Sequence, residues 1–181
     1  MSRPDQQDFA EAVIDSLKFA AGHECITGTI AVARMTRLAE MLVDTGGTLD
    51  FELSGVASFG GVHAGKSGLH LKVSGPLKLH CQRCLGEVVF ECNIDNRLML
   101  LPEADESVWP EDELESDEFD AIPAVRELSV MALLEEEVLL ALPLVPRHVE
   151  CVSPDARRDQ EGAGKKSVSS PFAALAGLKK H

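Results

Sequence analysis

Residues 69–100 read LHLKVSGPLKLHCQRCLGEVVFECNIDNRLML. Leu69, Leu71 and Val73 alternate with His70 and Lys72; after Ser74-Gly75-Pro76, Leu77, Leu79 and Cys81 alternate with Lys78 and His80. Beyond CQRCLG, Val88, Phe90, Cys92, Ile94, Leu98 and Leu100 share one side, and Glu87, Glu91, Asn93, Asp95 and Arg97 the other. A period of two places successive side chains on opposite faces of a strand. The stretch therefore predicts a long antiparallel hairpin with CQRCLG at its tip. Pro76 lacks an amide donor, which predicts a bulge or kink at that point.

The flanks extend the same plan. TLDFELSGV (48–56) alternates Leu49, Phe51 and Leu53 with Asp50 and Glu52, a half-buried strand. In AVARMTRLAEMLV (31–43), Met35, Leu38, Met41 and Leu42 recur at helical spacing. SFGGVHAGKSG (58–68) has four glycines in eleven residues and reads as a flexible loop. Residues 102–120 hold ten acids and no base, a solvated connection in which Trp109 is placed to anchor the loop to the body. From 123 to 142 the spacing predicts one long helix, with Pro123 in its first turn and Pro143 and Pro146 ending it. Leu128, Met131, Leu134, Val138, Leu139 and Leu142 form its apolar face. Glu135, Glu136 and Glu137 interrupt that face, so at least one of them is expected at the buried boundary, paired with a base from the sheet.

The fold class expected is α+β: a curved, barrel-like antiparallel sheet packed by one long helix and shorter helices. One domain over residues 1–152 would be followed by a tail over 153–181. The tail ends in SPFAALAGLKKH, where Phe172, Leu175 and Leu178 are spaced to lie together and to dock on the domain or a partner.

The chain of 181 residues carries a net charge of -13, from 30 acids against 17 bases. Such a surface repels nucleic acid at long range, so RNA contact requires a local basic patch. Lys72, Lys78 and His80 on the polar face of the hairpin, with Arg83 at its tip, are the candidate contact surface. The five cysteines show no disulfide framework and fit reduced thiols in a cytoplasmic protein. No apolar run is long enough to span a bilayer, and the N-terminus is too acidic for a secretory signal.

Cys81 and Cys84 have the Cys-x-x-Cys spacing of a metal knuckle or a redox dithiol. Redox pairs draw on a helix N-terminus to lower the thiol pKa, whereas both flanks here read as strands. Zinc needs about four ligands. His148 and Cys151, just after the long helix, complete a Cys3His set, with His80 an alternative to His148; Cys92 reads as core and Cys25 has no partner. Phosphate-loop, nucleophile-elbow, metalloprotease and dinucleotide-binding signatures are absent, and no small-molecule substrate or enzymatic activity is expected.

LHCQRCL at a strand end, EEEVLLALPLVPRH followed by a cysteine, and the terminal SPFAALAGLKK occur in this order, and together they resemble the large ribosomal RNA subunit accumulation protein family, YceD. The resemblance implies a non-enzymatic, cytoplasmic ribosome-biogenesis factor supporting the synthesis, processing or stability of 23S ribosomal RNA. Its implied partner is the large-subunit RNA precursor or a basic ribosomal protein. Some members carry further, metal-binding cysteines after the helix, where this chain has Cys151. Two other expectations compete: a zinc-binding or thiol-redox protein acting through Cys81 and Cys84, and a protein-interaction adaptor.

Overall fold

The computed structural model describes residues 12–61, 64–101 and 119–151. In chain order these form β1 (Val13–Ile14), α1 (Ser16–Ala21), β2 (Cys25–Ala31), a 3-10 turn (Val32–Arg34), α2 (Thr36–Ala39), β3 (Leu42–Asp44), β4 (Thr48–Val56), β5 (Gly68–His80), β6 (Glu87–Leu101), β7 (Asp120–Pro123), β8 (Leu128–Ser129) and α3 (Val130–Ala141). The class is α+β, mostly strands with three helices. No helix among the described residues is long and apolar enough to cross a membrane.

The hairpin is the spine. β5 and β6 pair antiparallel from Gly68 opposite Met99 to His80 opposite Glu87, with no shift of register. Leu69, Leu71, Val73, Leu77 and Leu79 are buried, and so are Cys92, Ile94 and Leu98 across from them. The expected break at Pro76 does not occur in the register. Instead, the other edge of β5 changes partner there: β4 pairs up to Ser74 and β3 from Lys78. The missing amide thus falls where no ladder bond is required. Gly75 has φ +150, and a Cβ there would lie 2.9 Å from the Thr48 carbonyl.

The main sheet runs β2-β4-β5-β6-β7, with β3 beside the far end of β5. Its end strands β2 and β7 do not pair with each other, so the sheet is not a barrel. Helices cover the inner face instead: α1 lies over β4 and β5, α3 over β6, and α2 against α3. The last pair departs from an all-antiparallel sheet, since β7 runs parallel to β6.

The helix over 123–142 is shortened from its N-terminus. Asp120–Pro123 finds backbone partners at Leu98–Leu101 and forms β7, and Leu128–Ser129 pairs with β1. Ser129 then caps α3, its Oγ accepting from the Ala132 N–H at 3.3 Å. The 31–43 helix is also broken up, into the 3-10 turn, α2 and β3. Met35, Leu38 and Leu42 still reach the core, but Met41 is exposed. The 58–68 stretch supplies an aromatic that its glycines hide. Phe59 packs edge-on against Phe119 at 4.7 Å, with Met99 and Leu101, in a second apolar cluster.

Two of the three adjacent glutamates are buried. Glu135 accepts from the Arg37 N–H at 2.7 Å, the Leu38 N–H at 3.2 Å and the Arg37 Nε at 3.0 Å. It thereby caps α2 from across the core, and its base comes from that helix rather than from the sheet. Burial works against its charge, but Arg37 and the two amides hold the carboxyl below the ordinary glutamate range. Glu137 is the opposite case. Burial pushes its carboxyl up, Asp120 and Glu136 add to this, and the Asn96 amide donating at 2.7 Å only partly opposes it.

A raised folded-state pKa means that stability falls as pH rises from the unfolded value through the folded one. Glu137→Gln keeps an acceptor for Asn96 and removes that loss. Its melting temperature at pH 7 is expected to exceed that of the parent by about 3 °C, with the gain vanishing near pH 4. Melts followed by circular dichroism at the two pH values check this; a lower value at pH 7 would refute it.

Candidate metal centre

The far end of the β5–β6 hairpin is a tight knuckle. The Cys81 N–H donates to the Gly86 carbonyl and the Leu85 N–H to the Cys81 carbonyl, both at 2.8 Å. Leu85 adopts a left-handed φ of 59, which turns the chain back within four residues of Cys81. The segment after α3 docks on this knuckle. Gln82 holds it at two points, its N–H donating to the Pro146 carbonyl at 2.9 Å and its Nε2 to the Leu144 carbonyl at 3.0 Å. His148 and Cys151 are thereby carried to the two tip cysteines.

The ligand atoms of Cys81, Cys84, His148 and Cys151 all lie within 4.8 Å of one another. The Cys81 and Cys151 sulfurs are 3.7 Å apart, and the Cys84 sulfur is 3.4 Å from His148 Nδ1. A tetrahedron with zinc–ligand bonds of the usual length has edges of about 3.8 Å between sulfurs and about 3.5 Å between sulfur and nitrogen. The donor set therefore fits a tetrahedral soft-metal site. His148 Nε2 donates to the Glu87 carbonyl at 2.7 Å, which leaves Nδ1 with its lone pair toward the sulfurs. Such a second hydrogen bond fixes the tautomer of a ligating histidine.

The electrostatics agree with the geometry. The backbone N–H of Cys84 points at the Cys81 sulfur; burial opposes its charge, but the N–H groups of His148 and Arg83 add to the pull, and the thiol is lowered to about 5. Cys151 is pushed up to about 11 by burial and by the Cys84 and Cys81 sulfurs beside it. The Glu87 carbonyl and the Cys81 sulfur hold the His148 imidazole above its ordinary value. Three sulfurs this close resist sharing negative charge, and a divalent cation removes that conflict.

The four residues expected from spacing are the four that meet. His80, the alternative ligand, lies on the exposed face opposite Glu87 and outside the cluster. Cys92 is buried in the main core, where burial pushes its thiol up, and Cys25 is exposed at the start of β2.

Lys72, Lys78 and His80 do share the exposed face of β5, with Arg83 exposed in the knuckle. They do not form a cationic patch. Lys78 Nζ is 3.1 Å from Asp44 and 3.6 Å from Glu87. Lys72 sits between Glu52 and Asp95 across the ladders, and Asp95 also pairs with His70. Sequence reading located these cations and the hairpin acids Glu87 and Asp95, but not Asp44 and Glu52, which come from strands 20 or more residues away. Phe172, Leu175, Leu178, Trp109 and the 102–118 acids lie outside the described residues.

Against known families, the model described as large ribosomal RNA subunit accumulation protein YceD matches residues 69–179, over half of the chain. No curated protein and no solved structure matches.

Proposed function

The chain belongs to the family of large ribosomal RNA subunit accumulation proteins, YceD, and from that premise we propose a cytoplasmic, non-enzymatic ribosome-biogenesis factor that supports accumulation of 23S ribosomal RNA. The observation that carries this reading is the family match itself. It spans the hairpin, the knuckle and α3 in one continuous run. The contact is assigned to a basic ribosomal protein in preference to naked RNA. On the polar sheet face the cations are already matched by acids, and the chain as a whole carries -13. Depleting the protein in cells is expected to lower mature 23S RNA at least twofold relative to 16S RNA, read by electrophoresis of total RNA. An unchanged ratio would overturn the reading.

The four-ligand geometry favours a structural zinc as part of this function. In a tetrahedral zinc site these four residues would fill all four positions, leaving none open for substrate or water chemistry. The metal would lock the segment after α3 onto the hairpin tip. It would thus act on the shape of the domain and take no part in a reaction.

A further inference from the structure

A groove of about 1160 Å³ lies between α3 and the β6–β7 edge, well away from the cysteine cluster. It exceeds the roughly 300–1,000 Å³ of small-molecule sites, so its size suits a peptide. Its apolar lining includes Ile94, Ile122, Leu133 and Leu140, the last 75% exposed. Its polar lining includes Asp120, Glu136 and Glu137, and among the described residues no Lys, Arg or His lines it. One of these acids has a cation at its back, Glu136 at 3.6 Å from Arg37. The groove thus asks for a short apolar segment that carries positive charge.

The chain contains such a segment. Phe172, Leu175 and Leu178 recur every three residues and are followed directly by Lys179 and Lys180. The connection reaches: Cys151 is fixed beside Cys81 at 3.7 Å, and His148 beside Glu87 at 2.7 Å. The groove begins at Asn93, six residues along β6 from Glu87, or about 20 Å. The twenty residues from 152 to 171 can extend to about 70 Å. The family match runs to residue 179, so one family unit includes both the groove and the segment.

We propose that residues 172–180 of the same chain dock in this groove, with Phe172, Leu175 and Leu178 on its apolar lining and Lys179 and Lys180 on its acids. The test is zero-length carbodiimide crosslinking of the full-length protein, prepared as an equal mixture of unlabelled and nitrogen-15 chains and read by mass spectrometry. Crosslinks from Lys179 or Lys180 to Asp120 or Glu136 are expected, with both peptides carrying the same isotope. Leu140→Asp, at an exposed position outside the core, and Leu175→Asp are each expected to cut them at least fivefold. Crosslinks spread equally onto Asp50 and Glu52 of the opposite sheet face, their persistence in both variants, or their absence would overturn the proposal. Mixed-isotope crosslinks would overturn it in favour of a second copy as the occupant.

Discussion

Purified protein is expected to carry about one zinc per chain, and Cys81→Ser to lose it together with roughly 10 °C of melting temperature. Cys81 is the ligand whose loss should matter most. It is completely buried, and its sulfur is the one that the surrounding N–H groups address. A serine there leaves three ligands and a smaller, harder donor that zinc prefers less. The size of the effect follows from what the metal joins. Cys84 and His148 are 64 residues apart in sequence, so a metal between them closes a loop containing β6, β7, β8 and α3. Closing a loop of that length in the unfolded chain accounts for a shift of about 10 °C in a protein of this size. Metal content by mass spectrometry and melts with and without a strong chelator check this. Zinc-bound protein should alkylate readily only at the exposed Cys25, with Cys84 and Cys151 becoming reactive after chelation. Metal-free protein that melts at the same temperature as the metal-loaded form would remove the structural role.

Gly55→Ala should cost as much without touching the cluster. Gly55 lies in β4 opposite Leu69, and a Cβ there would sit 2.2 Å from the Phe19 carbonyl oxygen and 2.8 Å from the Ala20 Cα. Both are backbone atoms of α1 and cannot rotate away. The same region is tied by hydrogen bonds: the Gly55 N–H donates to the Glu24 carbonyl at 2.8 Å, and the Glu24 N–H to the Phe19 carbonyl at 3.2 Å. A methyl group therefore has to lift α1 off the sheet or break this tie. Overpacking of this kind costs about 3 kcal/mol, or roughly 10 °C in melting temperature for this chain length. Gly60→Ala is the control, since nothing lies within 4 Å of its added Cβ. A Gly55→Ala protein melting within 2 °C of the Gly60→Ala protein would refute the packing argument.

The hairpin and the ligand set were legible in the sequence because each rests on local regularity. Strict alternation over 69–100 leaves only one face that can be buried, and a one-residue slip would expose every leucine on it. The Cys-x-x-Cys and His-x-x-Cys pairs were visible as spacings, and the knuckle geometry only had to bring them together. What was not legible depends on partners distant in the chain. Pro123 reads as a helix start, yet the free edge of β6 offers Leu98–Leu101 to Asp120–Pro123, and a ladder outcompetes a first turn there. Phe59 sits among glycines, and only Phe119, 60 residues later, makes it core. The three glutamates left open which one is buried and expected a base from the sheet, whereas Glu135 meets Arg37 of α2 and also two amides of that helix, which has no side-chain cap of its own. Closure into a barrel was likewise a matter of which strands meet, and three helices cover the face that closure would have enclosed.

The parallel pairing of β7 with β6 also fixes where the two ends of the acidic stretch are held. Leu101 lies beside Pro123 and Leu98 beside Asp120, so the chain leaves and re-enters the sheet along a single edge. Residues 102–118, strung between those points, carry nine acids and no base. Seventeen residues held at both ends cannot place any charge more than about 30 Å from that edge, whatever path they take. Leu101 and Asp120, which hold this stretch, stand at one end of β6, while the Cys3His knuckle stands at the other, about 46 Å away along the strand. The longest strand of the sheet therefore separates the attachment points of nine acids from the metal ligands.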